Sequence, residues 1–196
     1  MAIWQWFLIG AGSWVLAVVL KVVADLVAQR TLTVELRDWL ASLLSGLWSA
    51  LCELGLAALA FWLWSATLAD ALVVAVGAAL AEFLILLPAA ISANWGKKGL
   101  TKSKEAAGWN AFFTERAVAF ASHLASRGLV WLGIGGTAGL KAVGAAFGLF
   151  AVTEGIQAYG QAKDWDWLNK RLLWTFLAFQ GAVVAVEIVL FAMWSL

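Results

Sequence analysis

Apolar and polar positions do not alternate along this chain. The apolar residues gather in six long runs, at about 3–27, 39–64, 68–93, 109–133, 138–159 and 172–196. A bilayer's hydrocarbon core is about 30 Å thick and a helix rises about 1.5 Å per residue, so roughly 20 apolar residues make one crossing. Leu, Ala, Val, Trp and Gly fill the runs without a period of two, which predicts helices and not the strands of a transmembrane barrel. The expected fold is all-α: a six-transmembrane-helix bundle, forming a single membrane domain over 1–196. No basic residue precedes the first run and no small-residue cleavage pattern follows it, so it is expected to be a retained span and not a signal peptide.

Composition agrees with the pattern. Of 196 residues, 64% are apolar and 13% charged, and the mean hydropathy is +0.89. Ordinary soluble domains hold about 45–50% and about 25%. A soluble fold of this length lacks the interior to hide so much apolar side chain. Disorder, collagen, coiled coil and disulfide scaffold are excluded with it. The net charge of +1 supplies no field for nucleic acid. The lone Cys52 offers neither a disulfide nor a thiolate cluster.

The basic residues predict an orientation. Arg30, Arg37, Lys97, Lys98, Lys102, Lys104, Lys163, Lys170 and Arg171 fall in the odd connections, while the even connections and both termini hold Lys141 alone. Lys and Arg stay cytoplasmic, so the odd loops are expected inside and both termini outside. Size and simplicity point to a prokaryotic inner membrane. The basic stretch 94–105 is expected to act as a positive-inside anchor. Most tryptophans, Trp6, Trp62, Trp64 and Trp167 among them, fall near predicted span ends as an aromatic belt, and Trp14, Trp48, Trp131 and Trp174 lie further in as candidate packing residues.

Function is expected among the polar residues that a bilayer should exclude, because each central charge costs ~2.5–3.5 kcal/mol on insertion scales. By depth, Glu53, Glu82 and His123 fall near the midplane. Lys21, Asp25, Glu115, Arg116 and Glu154 fall in the cytoplasmic half, and Arg127 and Glu187 in the outer half. Lys21 and Asp25, four apart, are expected to neutralise each other. In the fourth run Glu115, Ala119, Ser122 and Ser126 share one face with the stripe Arg116, Ala119, His123 and Arg127, while Val118, Phe120, Leu124 and Leu129 lie mostly away from it. That face must look into the bundle or into a hydrated cavity. Its structural reading is a buried network of Glu115 and Glu154 with Arg116 and Arg127. Gly144, Gly148, Ala151 and Gly155 form a small-residue groove that places the fifth run at the bundle centre. Pro88, six residues after Glu82, is expected to loosen the third helix there.

One His among several carboxylates is a sparse set for a divalent metal with an open water position. On a straight helix Glu115 and His123 lie about 12 Å apart along the axis, so both cannot hold one ion.

The run from Glu115-Arg116 through His123 to Arg127-Gly-Leu-Val resembles the ER-x-x-A-x-x-x-H segment of the YhfC-type intramembrane metalloproteases, distant relatives of the CAAX prenyl endopeptidases. Glu154-Gly155-Ile-Gln-Ala-Tyr159 is similar to a downstream (D/E)-G-x-x-x-Y segment, and Glu82 stands near the place of the upstream acidic motif. The resemblance covers about 60 residues. The upstream Glu pair is reduced to Glu82, and no second His-bearing segment is present. What it implies is an intramembrane hydrolase scaffold, active or silent. Glu82 and Glu115 would be its catalytic carboxylates, and His123 and Glu154 its ligands to a metal such as zinc. Arg116, Arg127 and Tyr159 would support them, and the substrate would be a membrane-embedded peptide or a lipid-linked molecule. The alternative reading of the same residues is a small proton-coupled carrier or a structural subunit of a membrane complex.

Overall fold

The computed structural model describes residues 1–31, 38–95, 107–136 and 138–196, without the side chains of Asp25, Trp95 and residues 28–31. The basic stretch 96–106 and the expected Lys21–Asp25 pairing therefore lie outside the described residues. Six helices follow one another: α1 (Ile3–Thr31), α2 (Asp38–Trp64), α3 (Leu68–Trp95), α4 (Trp109–Ile134), α5 (Leu140–Ala162) and α6 (Lys170–Ser195). All but α5 are long and apolar enough to cross a membrane. α5 is diluted by Glu154, Gln157 and Gln161, yet its 23 residues still extend about 34 Å. The surface is that of a helical membrane bundle: Leu8, Leu16, Val23, Leu51, Leu84, Val186 and Val189 all stand exposed.

Local chemistry sets several boundaries. α3 opens on a capping box in which Thr67 Oγ1 accepts from Asp70 N–H at 3.3 Å and Asp70 Oδ2 accepts from Thr67 N–H at 2.9 Å. Asn169 caps α6 by accepting from Arg171 N–H and Leu172 N–H. α3 runs on through Pro88 without a break.

Helix α4, not α5, is the hub: it packs on α2, α3, α5 and α6. α5 packs on α2, α4 and α6, whereas α1 leans on α3 and α2. The small-residue groove is used only in part. A Cβ on Gly155 would meet Ser42 O at 3.2 Å, but Gly144 and Gly148 face open space. The closest approaches come from glycines on other helices, Gly46 against α5 and Gly10 and Gly77 across the α1–α3 contact.

The tryptophans divide differently from the expected belt. Trp6 and Trp167 are buried, as is Trp14, while Trp48 and Trp174 face outward. Trp131 packs inside and donates its Nε1–H to Ala66 O at 2.7 Å. One position expected to turn away from the polar face of α4 does not: Val118 lines the cavity described next.

Candidate functional site: a polar cavity lined by six helices

A cavity of about 640 Å³ runs into the bundle and takes lining from all six helices. Its mouth is at the α5–α6 turn, where the exposed Gln161 and Asp164 line it together with Trp165 and Trp167. Gly160 lets this turn fold back, since a Cβ there would lie 2.6 Å from the Trp165 ring and 2.8 Å from that of Trp167. Tyr159, Trp165, Trp167 and Phe176 then form an edge-to-face chain with ring centroids 6.0, 5.5 and 5.2 Å apart. Lys163, exposed beside this turn, pairs with Asp38 across to α2. The hydrogen bond to Asp38, then its charge, holds the lysine above its ordinary range. As a solvated pair it contributes little to stability.

Two charge clusters occupy the inner cavity. In the first, the Lys21 ammonium lies 2.5 Å from Glu53 Oε1 and 3.8 Å from Glu154 Oε2. Ser49 Oγ donates to the same Glu154 oxygen at 2.9 Å. One cation from α1 therefore bridges carboxylates of α2 and α5. In the second, Arg116 donates from Nη1 to Glu82 Oε1 at 2.6 Å and places Nη2 3.1 Å from Glu115 Oε2. His123 Nε2 lies 2.7 Å from Glu82 Oε2, and Arg127 Nη1 lies 2.5 Å from His123 Nδ1.

The last contact fixes the imidazole. A guanidinium donates and cannot accept, so Nδ1 presents its lone pair to Arg127. The ring hydrogen is then on Nε2 and points at Glu82. Both ring nitrogens are committed to the protein.

All four expected catalytic and ligand residues, Glu82, Glu115, His123 and Glu154, line this one cavity, and Arg116 joins them. They do not form the set the resemblance implies. Glu154 belongs to the Lys21 cluster, apart from His123. A divalent metal on His123 Nε2 would move the ring proton to Nδ1, donor against the Arg127 donor, so the residues do not suit zinc in this arrangement. Among the described residues no three His, Cys, Asp or Glu side chains converge as a ligand group. The expected network also changes partners: Arg127 serves His123 and, at 3.9 Å, Glu53 instead of Glu154. Arg127 is fully buried and does not line the cavity; it backs His123 from below. Tyr159 stands outside the lining, with its ring against Trp165.

Lys21, Glu53, Ser49 and Gln180 were not among the expected site residues. Depth already places Lys21 and Glu53 among the intramembrane charges, but it does not show that the two meet. Lys21 is about five helical turns into α1 from the far side, and its long stem brings the ammonium to the level of Glu53. The chain matches no protein-family model, no curated protein and no solved structure.

Proposed function

We propose that this chain is a small membrane carrier whose cavity receives a solute bearing an ammonium group. The observation that carries the reading is the seating of Lys21: the protein's own ammonium sits between Glu53 and Glu154 in a cavity reaching membrane depth. Around it the lining is acid-rich, with Glu53, Glu82, Glu115, Glu154 and Asp164 against Lys21 and Arg116. Trp14, Trp165 and Trp167 add indole faces that suit a cation. A solute ammonium entering at the mouth would compete with Lys21 for the same two carboxylates, and the freed lysine stem would swing aside. The incoming ammonium takes over both carboxylates as the lysine leaves them, so occupancy does not strand a carboxylate.

Competition gives a signed prediction. Lys21→Met should raise the affinity for methylammonium roughly tenfold, about 1.4 kcal/mol, because the resident competitor is gone. Glu53→Gln should abolish binding. Titration calorimetry on the chain in nanodiscs measures both, and exchange of labelled methylammonium in proteoliposomes tests carriage. Unchanged or weaker binding in Lys21→Met would refute the seat.

The inner-membrane setting and the orientation belong to the same proposal. With Cys52 replaced by Ala, a cysteine at Lys163 should resist impermeant thiol reagents added to intact cells and one at Ser195 should react. The reverse pattern overturns the orientation.

One observation favours the hydrolase reading as a second: Glu82, Glu115, Arg116 and His123 converge on a cavity whose mouth is lined by the exposed Gln161 and Asp164. In that reading Glu115 takes a proton from water while Arg116 and His123 hold Glu82 in place. Cleavage of a single-span peptide in proteoliposomes, lost in Glu115→Gln, would establish it over the carrier.

A further inference from the structure

A second, smaller space adjoins the polar cavity. It measures about 170 Å³ and is lined by α3 and α4 alone. Ala79, Leu80, Phe83 and Phe120 make it apolar, and Leu80 is 39% exposed, which puts the slot on the lipid side of the bundle. Its remaining lining, Glu82, Arg116, Ala119 and His123, is shared with the large cavity. One layer of side chains thus has lipid-facing apolar space on one side and the acid-rich cavity on the other.

That layer and its surroundings retain unspent hydrogen-bonding groups. Arg116 is nine-tenths buried and uses Nη1 and Nη2 on Glu82 and Glu115, while its buried Nε–H meets no acceptor among the described residues. Gln180 lines the large cavity, and its buried Oε1 meets no donor among the described residues. A buried polar atom without a partner is costly, so a bound molecule that supplies one acceptor and one donor is stabilised here.

We infer that the ligand comes from the bilayer: a single-chain amphiphile with a primary ammonium and a neighbouring hydroxyl, its alkyl chain in the α3–α4 slot and its head in the cavity. This rests on the ammonium reading above and narrows it. The ammonium suits the carboxylate excess and the Gln180 oxygen; the hydroxyl oxygen accepts from Arg116 Nε–H. A quaternary head lacks the N–H that Gln180 requires. An anionic head would face the carboxylates that line the cavity. Ala119, the small residue shared by slot and cavity, is where the proposed chain would cross between them.

The test is photolabelling of the intact chain in nanodiscs with a twelve-carbon primary alkylamine carrying a mid-chain diazirine, read by peptide mass spectrometry. Labels should concentrate on 79–83 and on Phe120. Excess dodecylamine should suppress them, and an excess of dodecanoic acid or dodecylphosphocholine should not. A long-chain 2-amino alcohol should compete better than dodecylamine. Leu80→Trp, at a lipid-facing position that accepts an indole, should cut slot labelling at least fivefold while methylammonium binding persists. Labels spread evenly over the outer faces of α1 and α6, with methylammonium still bound in the cavity, would sink the slot and leave the carrier standing. Suppression by the acid or the phosphocholine would mean an ordinary acyl chain fills the slot, and would sink the ammonium amphiphile. Failure of both the amphiphile and methylammonium to bind would sink the two proposals together.

Discussion

Replacing Arg127 with Leu should lower the stability of the bundle by ~3–5 kcal/mol, the cost of removing one partner from a buried charge cluster. Arg127 is fully buried, holds the lone pair of His123 Nδ1 and approaches Glu53 at 3.9 Å. Its charge also acts on Glu187 of α6, which is equally buried and whose carboxylate oxygens have no hydrogen-bond partner among the described residues. The substitution removes the cation from His123, Glu53 and Glu187 at once. Glu187→Leu made in the Arg127→Leu background should recover part of the loss, because it removes a buried carboxyl left with no cation acting on it. Lys163→Leu, which breaks only the exposed pair with Asp38, should melt as the parent does. Thermal melting in detergent compares the variants. An Arg127→Leu protein that melts with Lys163→Leu would show that this guanidinium is not a structural charge.

The difference between the expected and the observed networks explains how much of this site was legible. Insertion cost alone singles out Lys21, Glu53, Glu82, Glu115, Arg116, His123, Arg127, Glu154 and Glu187, and the depth of each follows from helical rise. Which carboxylate meets which cation does not follow, since that depends on helix rotation and neighbour order. Within the expected network Glu115 and Arg116 do meet, because adjacency in the chain brings the side chains together. Arg127 is expected in one network with Glu115, Arg116 and Glu154, but α4 turns it toward His123, four residues back on the same helix, and toward α2. Glu154 instead faces Lys21 and Ser49, on helices far from it in the sequence. The expected polar face of α4 survives in outline, with Ser126 buried and Glu115 and His123 on the cavity, but Leu129 shows that a buried helix turns its apolar side into the core as well. Six runs were enough for six helices. The order in which they pack needed three dimensions.

The same limit governs the glycines, and it yields the second large effect. A groove of small residues on α5 was legible, yet only its Ala151–Gly155 end meets a neighbour, because the glycine that completes the contact is Gly46 on α2. A Cβ on Gly46 would lie 2.2 Å from Ala151 O and 2.7 Å from Gly155 N. Those are backbone atoms of another helix and cannot rotate away as a side-chain tip does. In lipid the two helices have no hydrophobic drive to hold them together once apart, so close van der Waals packing carries the association. Gly46→Val should therefore force α2 from α5 and destabilise the bundle at or above the upper end of the ~1–3 kcal/mol usual for overpacking. It should also disturb the cavity, because Ser49 and Glu53 follow Gly46 on α2 and meet Glu154 and Lys21 across the same seam. Gly148→Val, in the same kind of motif but facing open space, should melt within a degree or two of the parent, or about 0.5 kcal/mol. Detergent melts of the two variants, with methylammonium titration of whatever folds, separate the cases. Equal melting of Gly46→Val and Gly148→Val would mean that α2 and α5 do not meet at Gly46, and with that contact would go the positions of Glu53 and Glu154 around Lys21.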